Sequence, residues 1–236
     1  MAGGGKIGIE LFGASGRMGG AIARVAAERD DVEIVTQGAD VFVDFTAPEA
    51  LEGNLARAVQ AGKPILVGTT GLGDEHRALL DAAAEKVALI HAPNTSLGVN
   101  LLRHLVEEAA ARLGKDWDIE IVEMHHRMKR DAPSGTALLL GAAAANGRGT
   151  TLQAVSRFDR TQGGEREAGS IGYAVLRGGS VTGDHQVVFA GEGERLELGH
   201  RADSRLIFAR GAIAAALWLA GRPAGRYNMA DVLGLG

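Results

Sequence analysis

The sequence contains no cysteine, only 4% aromatic residues and no excess of positive charge. Without cysteine, the chain can form no disulfide framework, no thiol nucleophile and no cysteine-ligated metal site. The formal net charge of −4 at pH 7 does not indicate the basic surface that nucleic-acid binding requires. No run of about 18 apolar residues occurs, so no membrane-spanning helix is expected. The glycine-rich start also lacks the pattern of a secretory signal peptide, and we expect a cytoplasmic protein with neither nucleic acid nor membrane as a partner.

The composition instead favours an α/β fold. The 236 residues are 46% hydrophobic and include 35 glycines, and this length suits one large domain or two modest ones. A core of Ala, Val, Leu and Ile with glycine at tight turns is typical of sheets covered by helices.

Strand and helix patterns alternate through the first part of the chain. Apolar strands at residues 41–45, 65–67 and 88–91 alternate with helical patterns at 49–61 and 74–86. This rhythm predicts a parallel sheet whose ligand loops lie at the carboxyl ends of the strands. The loops expected to line that edge are Phe45-Thr46, Gly68-Thr69-Thr70 and Pro93-Asn94-Thr95.

A glycine-rich turn follows the first strand, at residues 6–12, and precedes a helical pattern at 21–29. Its residues are Gly13, Ala14, Ser15, Gly16, Arg17 and Met18. Strand, glycine turn and helix form the context of a dinucleotide site, in which backbone N–H groups approach a pyrophosphate that a Cβ would obstruct. The spacing is Gly-x-x-Gly-x-x-Gly, so a purely structural turn is the alternative. Arg17 would add a charge for phosphate or stack on adenine, and otherwise it is a solvated arginine.

The connection between the second strand, at residues 32–35, and the third is unusually short. A crossover between parallel strands takes at least about 10–12 residues, whereas only residues 36–40 separate these strands. The position where an acidic side chain would hold the ribose, or a basic one its 2′-phosphate, falls among Val35, Thr36 and Gln37. Either the connection is naturally short or the sequence lacks a segment. In both cases the sequence does not distinguish NAD from NADP.

The segment at residues 123–137 combines two imidazoles, an ammonium group and a helix start. His125 and His126 end an apolar strand, Lys129 follows, and a helical pattern begins after Pro133. A helix N-terminus suits an anion, and the lysine adds a full charge. The segment therefore predicts a site for a small carboxylate with a proton donor beside it, and the residues at the helix start are Ser134, Gly135 and Thr136.

Two other interpretations of this segment stay open. Paired histidines at a strand end are also typical of a solvated turn, and Pro-Ser-Gly-Thr is an ordinary way to begin a helix. Zinc is disfavoured because adjacent histidines lack the i, i+4 spacing of helical zinc motifs. We therefore expect no metal.

Further along the chain the pattern changes to strands without intervening helices. Strands are predicted at residues 171–177, 180–190 and 195–202, with another near 151–158 in a glycine-rich tract. A long helix at 204–220 and a tail then end the chain. We expect a dinucleotide-binding domain formed by residues 1–95 and 206–236, and a substrate-binding and oligomerisation domain formed by residues 96–205. The second domain is α+β, with an open antiparallel or mixed sheet.

Several motifs together resemble the 4-hydroxy-tetrahydrodipicolinate reductase (dihydrodipicolinate reductase) family over nearly the whole chain. The most specific of them is Glu-Met-His-His-Arg-Met-Lys-Arg-Asp-Ala-Pro-Ser-Gly-Thr-Ala at residues 123–137. The others include Gly-Ala-Ser-Gly-Arg-Met-Gly at 13–19, Gly-Thr-Thr-Gly at 68–71, Ala-Pro-Asn-Thr-Ser-Leu-Gly-Val-Asn at 92–100 and Gly-Asp-His-Gln-Val-Val-Phe at 183–189. The chain departs from the family at the short connection, where members carry more residues and a ribose contact.

The resemblance implies a Rossmann-like cofactor domain and a mixed-sheet domain through which four subunits associate. It implies hydride transfer from NADH or NADPH to C4 of a cyclic imine in lysine and diaminopimelate biosynthesis. His125 and Lys129 would supply the proton, and His126, Ser134, Gly135 and Thr136 would hold the dicarboxylate. Cofactor contacts would fall on residues 13–18, 68–70 and 92–95.

Two rival functions remain open. One is another two-domain nicotinamide enzyme, although acylating semialdehyde dehydrogenases need a cysteine nucleophile that this chain lacks. The other is a cofactor-binding sensor without catalysis, which the short connection after Val35 would favour. The intact segment around His125 and Lys129 argues against the sensor.

Overall fold

The computed structural model describes residues 5–161 and 163–235. Contacts divide the chain into two units: the first comprises the residues up to Leu97 and those from Leu206 onward, and the second is Gly98–Arg205. The elements in chain order are β1 (Ile7–Phe12), α1 (Arg17–Ala27), β2 (Val32–Ile34), β3 (Val41–Asp44), α2 (Leu51–Ala61) after a 3-10 turn (Pro48–Ala50), β4 (Ile65–Val67), α3 (Asp74–Ala84), β5 (Ala88–His91), α4 (Leu97–Leu113), β6 (Asp118–His125), α5 (Gly135–Gly147), α6 (Leu152–Val155), β7 (Ser156–Arg157), β8 (Ile171–Arg177), β9 (Asp184–Gly191), β10 (Glu194–Arg201), α7 (Leu206–Leu219), β11 (Gly225–Tyr227) and α8 (Met229–Leu233).

The first unit is built on a parallel sheet with the strand order β11-β5-β4-β3-β1-β2. Apolar side chains of α1 and α7 pack on one face, and those of α2 and α3 pack on the other. The central strands β3 and β4 are short and buried on both faces, as is typical of parallel strands between helices. This is the Rossmann-like α/β architecture that the sequence predicts, and all ligand loops at the carboxyl ends of the strands lie at one edge.

The short connection after β2 is accommodated by a stagger between the strands. β2 pairs only with the first half of β1, ending at the pair Ile9–Ile34. β3 pairs with the second half of β1, beginning at the pair Ile9–Val41. The chain therefore does not return along a full strand length, because the connection has only to cross β1. It crosses beside Gly8, whose N–H donates to the Asp40 carboxylate at 3.0 Å.

The C-terminal residues, expected to form a tail, complete the sheet. Arg226 of β11 pairs with Leu89 of β5 and forms an ion pair with Asp81 of α3 at 2.7 Å. Asn228 then caps α8 by accepting a hydrogen bond from the N–H of Ala230 at 2.7 Å. Three residues are too short a run for periodicity to identify β11 as a strand.

The second unit contains a mixed sheet with the order β10-β9-β6-β8-β7. β6 pairs parallel with β8 and antiparallel with β9. The side chains of Ile119 and Ile121 on β6 are buried against Leu140 of α5, and the alternate residues of β6 are half-buried on the other face. The mixed sheet is confirmed.

The predicted strand near residues 151–158 was mostly wrong. Residues Leu152–Val155 form a helical turn, closed by the N–H of Ala154 donating to the Thr151 carbonyl at 3.1 Å. Only Ser156–Arg157 remain extended, as β7. In the described part of the chain, every helix falls short of the length and hydropathy that a membrane crossing demands.

Candidate functional site

The first unit contains a cavity of about 390 Å³ at the carboxyl edge of its sheet. Three strand-end loops and the start of α1 converge on it, as the order of strands and loops predicted. Its lining residues are Arg17, Met18, Phe45, Thr46, Gly68, Thr69, Thr70, Pro93, Thr95 and Phe208. Phe208, on α7, was missed because its place depends on how a helix from the other end of the chain packs.

The glycine turn brings the start of α1 close to the end of β1. Gly13 has φ +82°, a conformation that side chains with a Cβ rarely adopt, and its carbonyl accepts from the N–H of Gly16 at 2.9 Å. A Cβ on Gly19 would lie 2.3 Å from the Gly13 oxygen. Ala14, Ser15 and Gly16 are exposed. The start of α1 therefore presents N–H groups and a positive dipole end to solvent, which fits the pyrophosphate of a dinucleotide.

A buried aspartate that was not predicted as a site residue organises the neighbouring loops. Asp44, at the end of β3, accepts from the N–H and the hydroxyl of Thr46 at 2.9 and 2.6 Å. It also accepts from Asn54 at 3.1 Å and from the Thr69 hydroxyl at 3.4 Å. One carboxylate thus ties together the loops after β3 and β4.

The remaining loop, after β5, is fixed by its own polar side chains. The Asn94 side chain accepts from the N–H of Ser96 at 3.0 Å. The Thr95 hydroxyl donates to the Phe208 carbonyl at 2.7 Å. Ala92 is buried, so only its backbone could contact a ligand.

In the second unit, His125 lies at the end of β6 and its ring is held by a buried carboxylate. Nδ1 of His125 is 2.5 Å from Oε2 of Glu123. Glu123 is 1% exposed, and Arg177 of β8 donates to both of its oxygens, at 2.8 and 2.9 Å. The other Glu123 oxygen accepts from the N–H of Ser134 at 3.1 Å. The carboxylate therefore links the histidine directly to the start of α5.

Ser134, which the sequence predicts at a helix start, is the N-cap of α5. Its hydroxyl accepts from the N–H of Ala137 at 3.2 Å and lies 3.0 Å from Nε2 of His185. The rings of His185 and His125 meet edge to face, with centroids 5.1 Å apart. Gly135 and Thr136 form the first turn of α5. His125 and the predicted anion site are thus brought together within one unit.

The ionisable groups around His125 have shifted pKa values. Burial lowers the pKa of His125, the Glu123 carboxylate opposes this, and the charges of Lys129 and Arg177 reinforce it. Burial alone would raise the pKa of Glu123, but hydrogen bonds from Arg177 and His125 outweigh it and the pKa is lowered. Burial, with the nearby His125, lowers the pKa of His185 to about 4. At neutral pH, Glu123 is therefore ionised and His185 is uncharged.

Lys129 is half-buried beside these groups. Its ammonium forms an ion pair with Asp131 at 2.8 Å, and its backbone N–H donates to the His126 carbonyl at 3.1 Å. The N–H of His126 donates to the Val181 carbonyl at 2.7 Å. His126 is half-buried, and the turn holds it next to His125.

Three residues next to His125 were not predicted as site residues: Glu123, Arg177 and His185. Glu123 stands two residues before His125, so strand alternation places both on one face. Arg177 and His185 come near only through the pairing of β6 with β8 and β9, which local patterns do not reveal. Within residues 5–161 and 163–235, no group of three or more His, Asp or Glu side chains is placed to hold a metal ion.

Two models of one protein family match successive segments of the chain. The model described as dihydrodipicolinate reductase, C-terminus, matches residues 98–233, and that described as dihydrodipicolinate reductase, N-terminus, matches residues 30–95. The second match begins after the glycine turn, so the interpretation of that turn depends on its own geometry.

Individual proteins agree with the family models. A 4-hydroxy-tetrahydrodipicolinate reductase from Zymomonas mobilis is 55% identical, over 96% of this chain and 97% of that protein. One from Caulobacter vibrioides is 47% identical, over 96% of each chain. The structure of a dipicolinate-bound dihydrodipicolinate reductase from Paenisporosarcina sp. TG-14 has the same fold, with a TM-score of 0.79 at 22% identity, over 96% of this chain and 98% of that one. The alignment with the Zymomonas protein spans 246 positions against the 236 residues here, so that relative contains residues absent from this chain.

Proposed function

Since this chain belongs to the dihydrodipicolinate reductase family and is an oxidoreductase with that family's role in lysine and diaminopimelate biosynthesis, we propose how its residues serve the reaction. The second unit binds 4-hydroxy-tetrahydrodipicolinate as a dianion and supplies the proton that balances hydride addition. The first unit binds NADH or NADPH, which supplies hydride to C4 of the cyclic imine formed when the substrate loses water. The observation that carries this proposal is the direct link through Glu123 between His125 and the start of α5.

The proposed cofactor site is the edge cavity of the first unit. The turn at Gly13 and the close approach beneath Gly19 leave the N–H groups at the start of α1 accessible to a pyrophosphate. Arg17 adds a positive charge there. The cofactor contacts that we propose are Gly13, Ala14, Ser15, Gly16, Arg17, Met18, Gly68, Thr69, Thr70, Ala92, Pro93, Asn94 and Thr95.

The proposed substrate site is the start of α5 with its neighbouring cations. A small dicarboxylate suits this place because a helix N-terminus and an ammonium group both favour negative charge. The relative from Paenisporosarcina, whose structure contains dipicolinate, supports a ligand of this class. We propose that His126, Ser134, Gly135 and Thr136 bind the substrate. We also propose that the Lys129 ammonium leaves its ion pair with Asp131 and binds a substrate carboxylate.

The proposed proton donor is His125. Hydride addition to a conjugated imine leaves electron density that a proton must neutralise. Because Glu123 occupies Nδ1, the other ring nitrogen, Nε2, is the one that delivers the proton. General acid catalysis of this kind is worth roughly 10²–10⁴-fold in rate. Lys129 would support the transfer by holding the substrate's charge close to the ring.

We also propose that four subunits associate through the open face of the mixed sheet. Val122 and Met124 of β6 lie on the face opposite α5, and Leu176 of β8 is 49% exposed. Apolar side chains on an uncovered sheet favour association with another copy. The cytoplasmic location expected from the sequence stays a prediction.

Oxidation of NADH and NADPH, followed at 340 nm with condensed aspartate semialdehyde and pyruvate, tests the proposal. We expect turnover by the wild type, and a fall in kcat of roughly 10²-fold or more for His125→Gln with little change in KM. His104→Gln, on α4, is the matched control and should keep wild-type activity. Cofactor binding without turnover would support the sensor instead, and an unchanged kcat in the His125 variant would remove that residue from proton transfer.

A further inference from the structure

Glu123 is the most completely bonded carboxylate near the proposed proton donor. Its two oxygens accept from Nδ1 of His125, from the N–H of Ser134 and twice from Arg177. Arg177 also donates to the carbonyl of Leu176 at 2.7 Å and to that of Asp131 at 2.6 Å. Glu123 and Arg177 thus connect β6, β8, the loop before α5 and Ser134, the N-cap of that helix.

We infer that Glu123, clamped by Arg177, is the positioning residue that sets the tautomer of His125 and aligns its ring with the start of α5. This inference deepens the proposed function and rests on it. The carboxylate of Glu123, the imidazole of His125 and the guanidinium of Arg177 then form one hydrogen-bonded group. Only the imidazole would contact the substrate.

The tautomer follows from the chemistry of the carboxylate. An ionised carboxylate only accepts hydrogen bonds, so Nδ1 of His125 must carry a proton. Proton exchange with the substrate is then confined to Nε2. Gly183 lies over this nitrogen, and a Cβ there would be 2.9 Å from it. The glycine leaves room beside Nε2, on the side of the ring away from Glu123.

Four ionisable groups from different elements face His125, and they act in opposite directions. Glu123 on β6 favours the protonated ring, whereas Arg177 on β8 and Lys129 in the following loop disfavour it. His185 on β9 touches the ring edge to face. Because the only anion among these four is Glu123, replacing it with a neutral group must make His125 harder to protonate.

The bidentate pair with Arg177 explains why a buried carboxylate is tolerated here. A carboxylate removed from water needs a partner for each oxygen, and a guanidinium supplies two parallel donors in a fixed plane. A lysine would keep the charge but lose this geometry. The contribution of charge can therefore be separated from that of orientation by two different substitutions.

Glu123→Gln tests the charge. We expect kcat to fall roughly 10²-fold, as part of the contribution of general acid catalysis is lost, and the high-pH limb of kcat/KM to move to lower pH. Glu120→Gln is the matched control, because Glu120 lies on the same strand and pairs with Arg166 at 2.9 Å. It should leave both the rate and the pH profile unchanged. An unmoved limb in the Glu123 variant would overturn the inference.

Arg177→Lys tests the orientation and serves if the Glu123 variant does not fold. It should lower kcat while leaving the pH limb near its wild-type position, because Glu123 keeps its charge. A wild-type kcat in this variant would contradict the clamp.

Nitrogen-15 NMR of the free protein, labelled at histidine, reads the tautomer without turnover. We expect neutral His125 of the wild type to carry its proton on Nδ1, and the Glu123→Gln variant to show a mixture. A dominant Nε2–H form in the wild type would overturn the inference even if the enzyme is active. Conversely, a wild type that fails to oxidise NADH or NADPH with the substrate would refute the proposed function, while the NMR result would still decide the tautomer.

Discussion

Ile34, the last residue of β2, and Val41, the first residue of β3, lie at the same level of the sheet because both pair with Ile9. β1 continues to Phe12, next to the glycine turn. At about 3.3 Å per residue, β2 therefore ends about 10 Å short of the edge where the cofactor is proposed to bind. The connection that makes the stagger possible also removes the usual position for a ribose contact.

We predict that the enzyme discriminates weakly between NADH and NADPH, with kcat/KM values within about tenfold of each other. A charged group bonded to the ribose or its 2′-phosphate would contribute about 1.5–3 kcal/mol, which is more than tenfold. The residues after Ile34 are Val35, Thr36 and Gln37, none of them charged. Steady-state rates at 340 nm with each cofactor measure the ratio.

Arg17→Ala provides the control for this prediction. Arg17 lies at the start of α1, where we propose that the pyrophosphate common to both cofactors binds, so its loss should raise KM for both by the same factor. A preference above roughly 100-fold in the wild type would mean that a residue from elsewhere reads the ribose.

The strand-end loops were predictable because their positions follow from local patterns. Each buried strand is an apolar run and each loop begins where the run ends, so the topology of a parallel sheet places Thr46, Thr69 and Thr95 together. His125 and Ser134 were predicted in the same way, as residues at a strand end and a helix start. Local patterns therefore identify the residues at the ends of helices and strands.

The partners of these residues were not predictable, because they depend on register between distant strands. Glu123 meets Arg177 only because β6 and β8 pair in one particular alignment, and a shift by one residue would turn Arg177 to the other face. The stagger at Ile9 likewise depends on the register of β2 and β3 on β1. A short connection limits the possible registers but does not show which one forms.

We predict that Gly183→Ala lowers kcat roughly 10²-fold with little loss of stability. The added Cβ would lie 2.9 Å from Nε2 of His125 and 3.5 Å from the His185 ring, so the imidazole must turn away from its position on Glu123. Misplacement of a catalytic group by about 1 Å can cost about 10²-fold. The measurements are kcat at saturating substrate and the thermal midpoint.

Gly53→Ala, on α2, is the matched control, because a Cβ there meets nothing within 4 Å. It should keep full activity and gain a few tenths of a kcal/mol or more, since alanine favours a helix by about 1 kcal/mol over glycine. Equal activity of the two variants would show that the space beside Nε2 is not needed.

We predict that Asp131→Asn tightens the binding of dicarboxylates. The Asp131 carboxylate holds the Lys129 ammonium at 2.8 Å, so a ligand carboxylate must compete with it. The Asp131 side chain is 59% exposed, and exposed ion pairs are worth about 0.2–1 kcal/mol. The Kd of pyridine-2,6-dicarboxylate, measured by calorimetry, should therefore fall by no more than about fivefold. Asp74→Asn, which removes a similar exposed pair with Arg77, should leave the Kd unchanged, and weaker binding by the Asp131 variant would contradict the exchange.

The buried His185 should make the stability of the protein depend on pH in the weakly acidic range. Its pKa is about 4 in the folded protein, against an ordinary value of 6.5. Between these values the unfolded chain binds a proton that the folded protein does not, so stability falls as the pH is lowered. From pH 7 to pH 5 this one group should cost about 2 kcal/mol. We therefore expect His185→Gln, whose amide can still meet the Ser134 hydroxyl, to lose less stability than the wild type over that interval. Urea unfolding at both pH values, at one protein concentration, measures the difference. The same pH dependence in both proteins would show that His185 is not held neutral by burial.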